Sequence, residues 1–314
     1  MTPPTPQRMS TAPKFTRGTL NTYRAPADLT RVTAALHKVG RKVALVPTMG
    51  ALHAGHRELL RRAKRLPNTV VGASIFVNPL QFGEGEDFEA YPRPLEADLD
   101  VLGETGAEYA FVPSAEALYP EGAAVTVHPG PLGDELEGTV RPGHFSGMLT
   151  VVAKLLNIVR PDYAFFGEKD YQQLVLVKRM VRDLNLDTRV IGVPTVRESD
   201  GLALSSRNVY LTGEERQDAV VLSAALAAGV HAGRHGTGEV LAAAGRVLAA
   251  RPKVELDYLQ VRGTDLGPAP VEGEARLLIA ARVGRTRLID NVPLLLGQAA
   301  VQGVERSEHQ DAGA

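Results

Sequence analysis

Apolar and polar residues follow two rhythms along the first two thirds of the chain. Short apolar and β-branched runs, typical of buried strands, occupy residues 43–47, 69–77, 108–113, 125–127, 163–166 and 188–193. Between most of them, apolar residues recur at helical spacing over 28–38, 55–66, 95–105, 146–159 and 170–184. Strands that alternate with helices and are apolar on both faces predict a parallel sheet covered on both sides.

The pattern changes after about residue 196. A polar loop at 200–208 leads to an Ala-rich helix that begins at Thr212, a second helix over 238–250 and strand-like runs at 254–261 and 275–283. We therefore predict an α/β chain with a Rossmann-like domain over 21–196, with helices on both faces of its sheet. A smaller C-terminal α+β domain over 197–296 would act as a lid. Proline, threonine and polar residues predict a disordered extension at 1–20 and a flexible tail at 297–314.

Polar residues with chemical potential follow three of the predicted strands. The first strand leads into PTMGALHAGH, in which His53 and His56 flank Gly55 at a helix start. NPLQF, with Gln81, follows the second strand, and GEKD, with Lys169, follows the strand at 163–166. Ligands of parallel sheets bind outside the carboxyl ends of the strands, and a helix N-terminus attracts anions. These positions predict one shared site for a phosphate-bearing ligand.

The residues leave several interpretations open. His53 and His56 are compatible with zinc, but no third ligand stands out and HExxH is absent. Donation of hydrogen bonds to phosphates suits them better, and structural capping of the helix is the alternative. Lys169, and Ser205 to Arg207 in the polar loop, suit phosphate oxygens, although GEKD and SSR alone are also typical of exposed turns. The sequence also leaves open whether Gln81, and Arg141 with His144 in RPGHF, have a functional or a structural role.

Composition narrows the functional class. The 314 residues are 44% hydrophobic with a net charge of −1, and no apolar run reaches the 18 residues of a membrane span. The absence of cysteine excludes disulfides, thiolate metal sites and a cysteine nucleophile. Near-zero charge gives no reason to expect nucleic acid, and the chain has no Trp to stack on bases. We expect a cytoplasmic protein without membrane or nucleic-acid partners.

In combination, these motifs resemble those of the pantothenate synthetases, or pantoate–β-alanine ligases, of the HxGH nucleotidyltransferase superfamily. The matching segments are VALVPTMGALHAGH (43–56), SIFVNPLQF (74–82), EDFEAYPR (86–93), RPGHFSGMLTVVAKLLNIVRPDYAFFGEKDYQQL (141–174), DGLALSSRNVYLT (200–212) and AARVGRTRLIDN (280–291). The resemblance spans about residues 21–292. It implies ATP-dependent condensation of pantoate with β-alanine to pantothenate, through a pantoyl adenylate, with release of AMP and pyrophosphate.

The resemblance also assigns residues to roles. It implies catalytic roles for His53, His56, Lys169 and Arg207. The implied ATP contacts are Met49, Gly50, Ala51, Leu52, His53, Ala54, Gly55, His56, Gly167, Glu168, Lys169, Asp170, Val196, Leu204, Ser205, Ser206 and Arg207. Gln81 is implied to bind pantoate and β-alanine, and Gln173 to bind pantoate.

The expected metal is Mg²⁺, bound mainly through ATP phosphates, with Asp98 as a candidate protein ligand. The expected partners are ATP, pantoate and β-alanine, and the family suggests a homodimer. The alternatives are another HxGH nucleotidylyltransferase and a non-catalytic nucleotide-binding protein.

Overall fold

Parallel strands form the central sheet of the computed structural model, which describes residues 13–83, 86 and 88–297. Within these residues the sheet has the order β1-β4-β3-β2-β5-β6, and every pair is parallel. Its strands are β1 (Asn21–Tyr23), β2 (Lys42–Thr48), β3 (Thr69–Ile75), β4 (Tyr109–Phe111), β5 (Tyr163–Gly167) and β6 (Arg189–Val193). The predicted Rossmann-like sheet is confirmed.

Helices cover both faces of this sheet. The helices of the described chain are α1 (Pro26–Lys38), α2 (Ala54–Ala63), α3 (Leu95–Glu104), α4 (Ala115–Leu118), α5 (Glu137–Val140), α6 (His144–Val159), α7 (Tyr171–Asp183), α8 (Gly213–Ala219), α9 (Val221–His231) and α10 (Thr237–Ala249). The last three belong to the C-terminal unit. Val43 and Leu45 of β2 pack in the core that α1, α6 and α7 cover. Ala44 and Val46 pack in the core formed with α2 and α3. Strand β2 is therefore apolar on both faces because both faces are covered.

The C-terminal unit is a three-stranded antiparallel sheet under two helices. Its strands are β7 (Val254–Gly263), β8 (Gly273–Val283) and β9 (Thr286–Leu296), in that order. Helices α9 and α10 contact this sheet and each other, and they close a separate apolar core. The predicted α+β unit is confirmed, but β9 is an additional strand that the apolar pattern did not indicate, because Arg287, Asp290 and Asn291 interrupt it.

Local boundaries differ from the predictions in several places. Residues 125–127 form no strand. Helix α1 begins at Pro26, whose fixed φ suits a first helical position, whereas we predicted Asp28 as its N-cap. The long helix predicted from Thr212 is two helices, α8 and α9, that meet at Val220. Strand β1 was not predicted, because three edge residues carry too little pattern.

The predicted termini fall mostly outside the described residues, which exclude 1–12 and 298–314. Residues 13–20 were expected to belong to a disordered extension, but they are tied to the sheet. The Tyr23 hydroxyl donates to the Lys14 carbonyl at 2.9 Å, and the Gly18 amide donates to the Glu108 carboxylate at 3.1 Å. In the portion described, no helix has the length and apolarity needed to cross a bilayer.

Strand order brings the three predicted loops together. Strands β3, β2 and β5 are neighbours. From β2 the chain continues to β3 and β4 on one side, whereas β5 and β6 lie on the other side. Such a reversal of strand order is the usual position of a ligand crevice. The backbone of helix α6 lies directly against the backbone of the loop after β3. A Cβ added at Gly147 would lie 1.8 Å from the Leu80 carbonyl oxygen, so only glycine allows this contact.

We predict that Gly147→Ala lowers the free energy of unfolding by about 1–3 kcal/mol, because α6 must move off the Leu80 backbone. Urea unfolding measures the change. Gly103→Ala is the matched control: Gly103 lies on the exposed side of α3 with open space around its Cβ position, and alanine there should stabilise by about 0.5–1 kcal/mol. Equal effects at the two sites would contradict the packing argument.

Candidate active site

The start of α2 is capped by the two histidines of HxGH. His53 is the N-cap residue, and its Nδ1 accepts a hydrogen bond from the Gly55 amide at 3.1 Å. The His56 Nδ1 accepts from the His53 amide at 3.2 Å, which completes a reciprocal capping box. A Cβ at Gly55 would lie 2.8 Å from His53 Cε1, so the glycine between the histidines makes room for the ring.

This cap fixes the tautomer of both rings. Because each Nδ1 accepts a backbone N–H, the remaining proton of each neutral ring resides on Nε2. Burial lowers the pKa of His53 to about 4, helped by the charge of Lys169. Burial, and then the neighbouring His53, lower the pKa of His56 to about 3. Both rings are therefore neutral at pH 7 and present Nε2–H donors.

The loop before α2 is held by Asp98 of α3. Its two carboxylate oxygens accept the amides of Ala51 and Leu52 at 2.9 and 2.7 Å, and the side chain is buried. Ala51 has φ of +50°, a strained conformation for a residue with a Cβ, and these bonds hold it there. Asp98 therefore anchors the loop. Its expected role as a magnesium ligand stays a prediction, and these contacts give it no support.

The loop after β3 presents an amide to the same space. Gln81 is buried, and its Oε1 accepts a hydrogen bond from Asn78 at 3.1 Å. Asn78 also donates to the Gly147 carbonyl and accepts from the Tyr119 hydroxyl at 3.0 Å. This network orients the Gln81 amide so that its Nε2 is the group left to donate to a ligand.

RPGHF at the start of α6 braces Gln81 from the other side. Arg141 and His144 both donate to the backbone carbonyl of Gln81, at 3.2 and 2.8 Å, and Arg141 also pairs with Glu86. Burial, and then the Arg141 charge, lower the pKa of His144 to about 4. These contacts support the structural interpretation of Arg141 and His144, while both side chains also line the cleft.

Lys169 lies in a 3₁₀ turn, Glu168–Asp170, directly after β5. Its ammonium group is 3.5 Å from the Asp170 carboxylate. Desolvation by the surrounding cleft would raise the pKa of Asp170, but the charge and hydrogen bond of Lys169 and the charge of Arg207 lower it overall. Asp170 occupies the predicted N-cap position of α7, but its side chain makes no capping hydrogen bond. A positive charge thus stands beside the two neutral histidines.

The SSR loop follows a short hairpin between the two units. The Leu204 amide donates to the Val196 carbonyl at 2.9 Å, and Ser205 begins a 3₁₀ turn over Ser206–Tyr210. The Ser205 hydroxyl oxygen accepts the Arg207 amide at 3.3 Å. Ser205, Ser206 and Arg207 line the same cavity as Lys169.

The cleft brings most of the predicted residues together. A cavity of about 250 Å³ beside the histidines adjoins one of about 870 Å³ between the two units. Both are lined by Lys169, Asp170, Gln173, Ser205 and Arg207. The smaller cavity is also lined by Met49, His53, Gly55, His56, Gln81, Gly167, Val196, Leu204 and Ser206. Five predicted ATP contacts do not line either cavity: Gly50, Ala51, Leu52, Ala54 and Glu168.

The adjacent glutamines of α7 have different surroundings. Gln172 is buried and bonds the Leu132 and Glu135 carbonyls and the Glu137 amide, so it holds the segment before α6. Gln173 lines the cleft, and its amide makes no hydrogen bond with the described residues. Gln173 is therefore the glutamine that can bind a substrate.

Known proteins share this fold and these motifs. The family model described as pantoate-beta-alanine ligase matches residues 21–293. The pantothenate synthetase of Saccharopolyspora erythraea is 62% identical over 93% of this chain and 97% of its own length. The pantothenate synthetase structure from Thermus thermophilus superposes with a TM-score of 0.80 at 50% identity, over 86% of this chain and 98% of its own. The chain belongs to the pantoate–β-alanine ligase family.

A second structure bears on the ligands of the family. The pantoate-beta-alanine ligase of Francisella tularensis, complexed with beta-gamma ATP and beta-alanine, is 36% identical with a TM-score of 0.73. The superposition covers 87% of this chain and 97% of the Francisella protein. A ligase of this family therefore binds a nucleotide and an amino acid on the fold described above.

Sequence reasoning missed two kinds of residue in this member of the family. Asn78 stands in the quoted NPLQF, yet only the structure shows that it orients Gln81. Asn291 and Arg276 lie in the C-terminal sheet and contact the Lys169 loop from more than 100 positions away. The residues around them in the sequence do not indicate this contact, although Asn291 ends the segment 280–291 on which the resemblance partly rests.

We predict that acid selectively destabilises this site. His53, His56 and His144 have folded-state pKa values of about 4, 3 and 4, below the ordinary 6.5. The unfolded chain binds protons first, so their contribution is present above pH 6.5 and is lost as pH falls toward 4 and 3. The melting temperature should therefore drop more steeply below pH 6.5 in the wild type than in His56→Gln.

Replacement of the exposed His231 by Gln is the control for this measurement. It should keep the wild-type slope of melting temperature against pH. A His56→Gln variant with the full wild-type slope would contradict burial as the cause of the lowered pKa.

Proposed function

We propose that this cleft catalyses the ATP-dependent condensation of pantoate with β-alanine to pantothenate, with AMP and pyrophosphate as the other products. Family membership over nearly the whole described chain supports this activity. The observation that carries the residue assignment is the convergence of the neutral histidine pair, Lys169 and the SSR loop on one cleft that also contains Gln81 and Gln173.

The proposed reaction has two steps. A pantoate carboxylate oxygen attacks the α-phosphorus of ATP, and the bond to the β-phosphate breaks, so pyrophosphate leaves with the electron pair. The β-alanine amine then attacks the acyl carbon of the pantoyl adenylate and loses a proton, and AMP leaves. Both nucleophiles belong to substrates, which agrees with a site that offers donors and cations rather than a serine or cysteine nucleophile.

The phosphate side of the cleft suits the first step. Pantoate and ATP are both anions, so the enzyme must hold them together against repulsion. His53 and His56 donate Nε2–H to phosphate oxygens, and Lys169 and Arg207 add positive charge as charge shifts onto the leaving pyrophosphate. Because the histidines are neutral, they act as hydrogen-bond donors and need not give up a proton.

The two glutamines suit the hydroxy acid. Gln81 offers Nε2–H after its oxygen is engaged by Asn78, and Gln173 offers a full amide. Two amides can pair with the hydroxyl and carboxylate oxygens of pantoate and so orient the attacking oxygen. Gln81 lies beside Arg141 and His144, and we assign β-alanine to the same end of the cleft.

We assign Mg²⁺ to the ATP phosphates rather than to a protein cage. Use of ATP agrees with a divalent cation, and the described residues hold no group of three or more His, Asp or Glu placed to bind a metal. Asp170 is the carboxylate that lines the cleft beside Lys169. A cation held by phosphate oxygens, water and this carboxylate would neutralise phosphate charge. The family resemblance further supports a cytoplasmic homodimer, and sedimentation of the purified protein tests the dimer.

We predict AMP formation that requires ATP, pantoate and β-alanine together. His56→Ala and Lys169→Met should each lower kcat by about 10²-fold, as expected for loss of one donor to the transition state. A coupled assay for AMP measures these rates. Lys178→Met, an exposed change on α7 outside the cleft, is the control and should retain full activity.

Two results would contradict the assignment. AMP formation without pantoate would exclude a pantoyl adenylate. Wild-type kcat in both His56→Ala and Lys169→Met would leave the ligase activity standing and overturn the roles given to these two residues.

A further inference from the structure

Two adjacent residues of β9 reach the two loops that line opposite sides of the cleft. Successive side chains of a strand project to opposite faces, so neighbours can contact different parts of the molecule. Asn291 is buried, and its Nδ2 donates to the carbonyls of Glu168 and Lys169 at 2.9 and 2.8 Å. The C-terminal sheet therefore binds the backbone of the turn that carries Lys169.

Arg276 of β8 fixes the orientation of the Asn291 amide. Its Nε donates to Asn291 Oδ1 at 2.6 Å, and its Nη2 donates to the Glu168 carboxylate at 3.0 Å. The guanidinium also lies 4.0 Å from the centroid of the Tyr171 ring. With Oδ1 engaged by an obligate donor, Nδ2 must face the two carbonyls. The turn is thereby held through its backbone and through Glu168.

Asp290 holds the other loop. Its carboxylate, 4% exposed, accepts two hydrogen bonds from Arg197 at 2.6 and 2.9 Å. Arg197 bridges to Ala203 in the hairpin that leads into Ser205, and its Nη1 also donates to the Gly201 carbonyl. A bidentate pair of this kind fixes direction as well as distance. The SSR loop is thus fastened to the strand position next to Asn291.

We propose that Asp290 and Asn291 are positioning residues that set the separation between the Lys169 loop and the SSR loop. Both contacts start from one strand that pairs with β8 along its whole length, so the spacing is set by a rigid element. The inference rests on the proposed function, in which both loops contact ATP. Displacement of such a group by about 1 Å can cost about 10²-fold in rate.

Asn291→Asp tests this inference with little change in volume. The new carboxylate still accepts from Arg276 but faces the Glu168 and Lys169 carbonyls with an oxygen in place of the NH₂ group. We expect kcat/KM for ATP to fall about 10- to 100-fold, with a raised KM for ATP. The KM for β-alanine, which binds at the Gln81 end, should stay within about two-fold.

Leu294→Ala is the matched control for stability. Leu294 lies on the same strand in the C-terminal apolar core, and its truncation should lower the melting temperature by several degrees. A simple loss of folded enzyme lowers kcat and leaves both KM values unchanged. At 25 °C this variant should therefore keep the wild-type KM for ATP.

Several outcomes would overturn the inference. Asn291→Asp with a wild-type kcat/KM for ATP would do so, as would a loss that Leu294→Ala reproduces with the same pattern of KM values. If Asn291→Asp fails to fold, Asp290→Asn weakens the pair with Arg197 that holds the other loop, and an unchanged KM for ATP there would be equally decisive. A wild type without AMP formation would instead contradict the function itself.

Discussion

The reciprocal cap between His53 and His56 is the interaction on which the site depends. Each ring accepts a backbone N–H of the same helix start, and each is thereby left with its proton on Nε2. The same bonds place both rings at the carboxyl end of β2, where the helix N-terminus already favours anions. A single local motif therefore forms the helix, fixes the tautomers and provides two donors. Gly55 makes room for this arrangement, and Asp98 holds the loop that leads into it.

The rest of the cleft adds charge and shape to these neutral donors. Strand order places Gln81 and Lys169 beside the histidines, because β3 and β5 flank β2. Lys169 and Arg207 supply the positive charge that buried imidazoles with lowered pKa values do not carry at neutral pH. The division is physically reasonable: a lysine and an arginine stay charged near an anion, whereas a buried histidine pair would repel itself if both rings were protonated.

Much of the fold and of the candidate site could be predicted from the sequence. Continuous apolar runs and helical spacing predicted the parallel sheet, and the motifs after its strands predicted Gln81, Lys169 and the histidines. The structure differs where a signal is short or distant. Strand β1 has three residues, and the start of α1 depended on Pro26 rather than Asp28. Arg276 and Asn291 act through contacts between segments far apart in sequence, and Asn78 is itself held by the distant Gly147 and Tyr119; local patterns do not encode such contacts.

Transfer of an isotope label from pantoate to AMP shows directly whether pantoate attacks the α-phosphorus of ATP in this cleft. Pantoate labelled with ¹⁸O in its carboxylate should be converted with ATP and β-alanine, and the products analysed by mass spectrometry. Attack by the pantoate carboxylate predicts one ¹⁸O atom in each AMP, because the attacking oxygen remains on phosphorus when the amine displaces AMP. Label in pyrophosphate or phosphate, with unlabelled AMP, would contradict it.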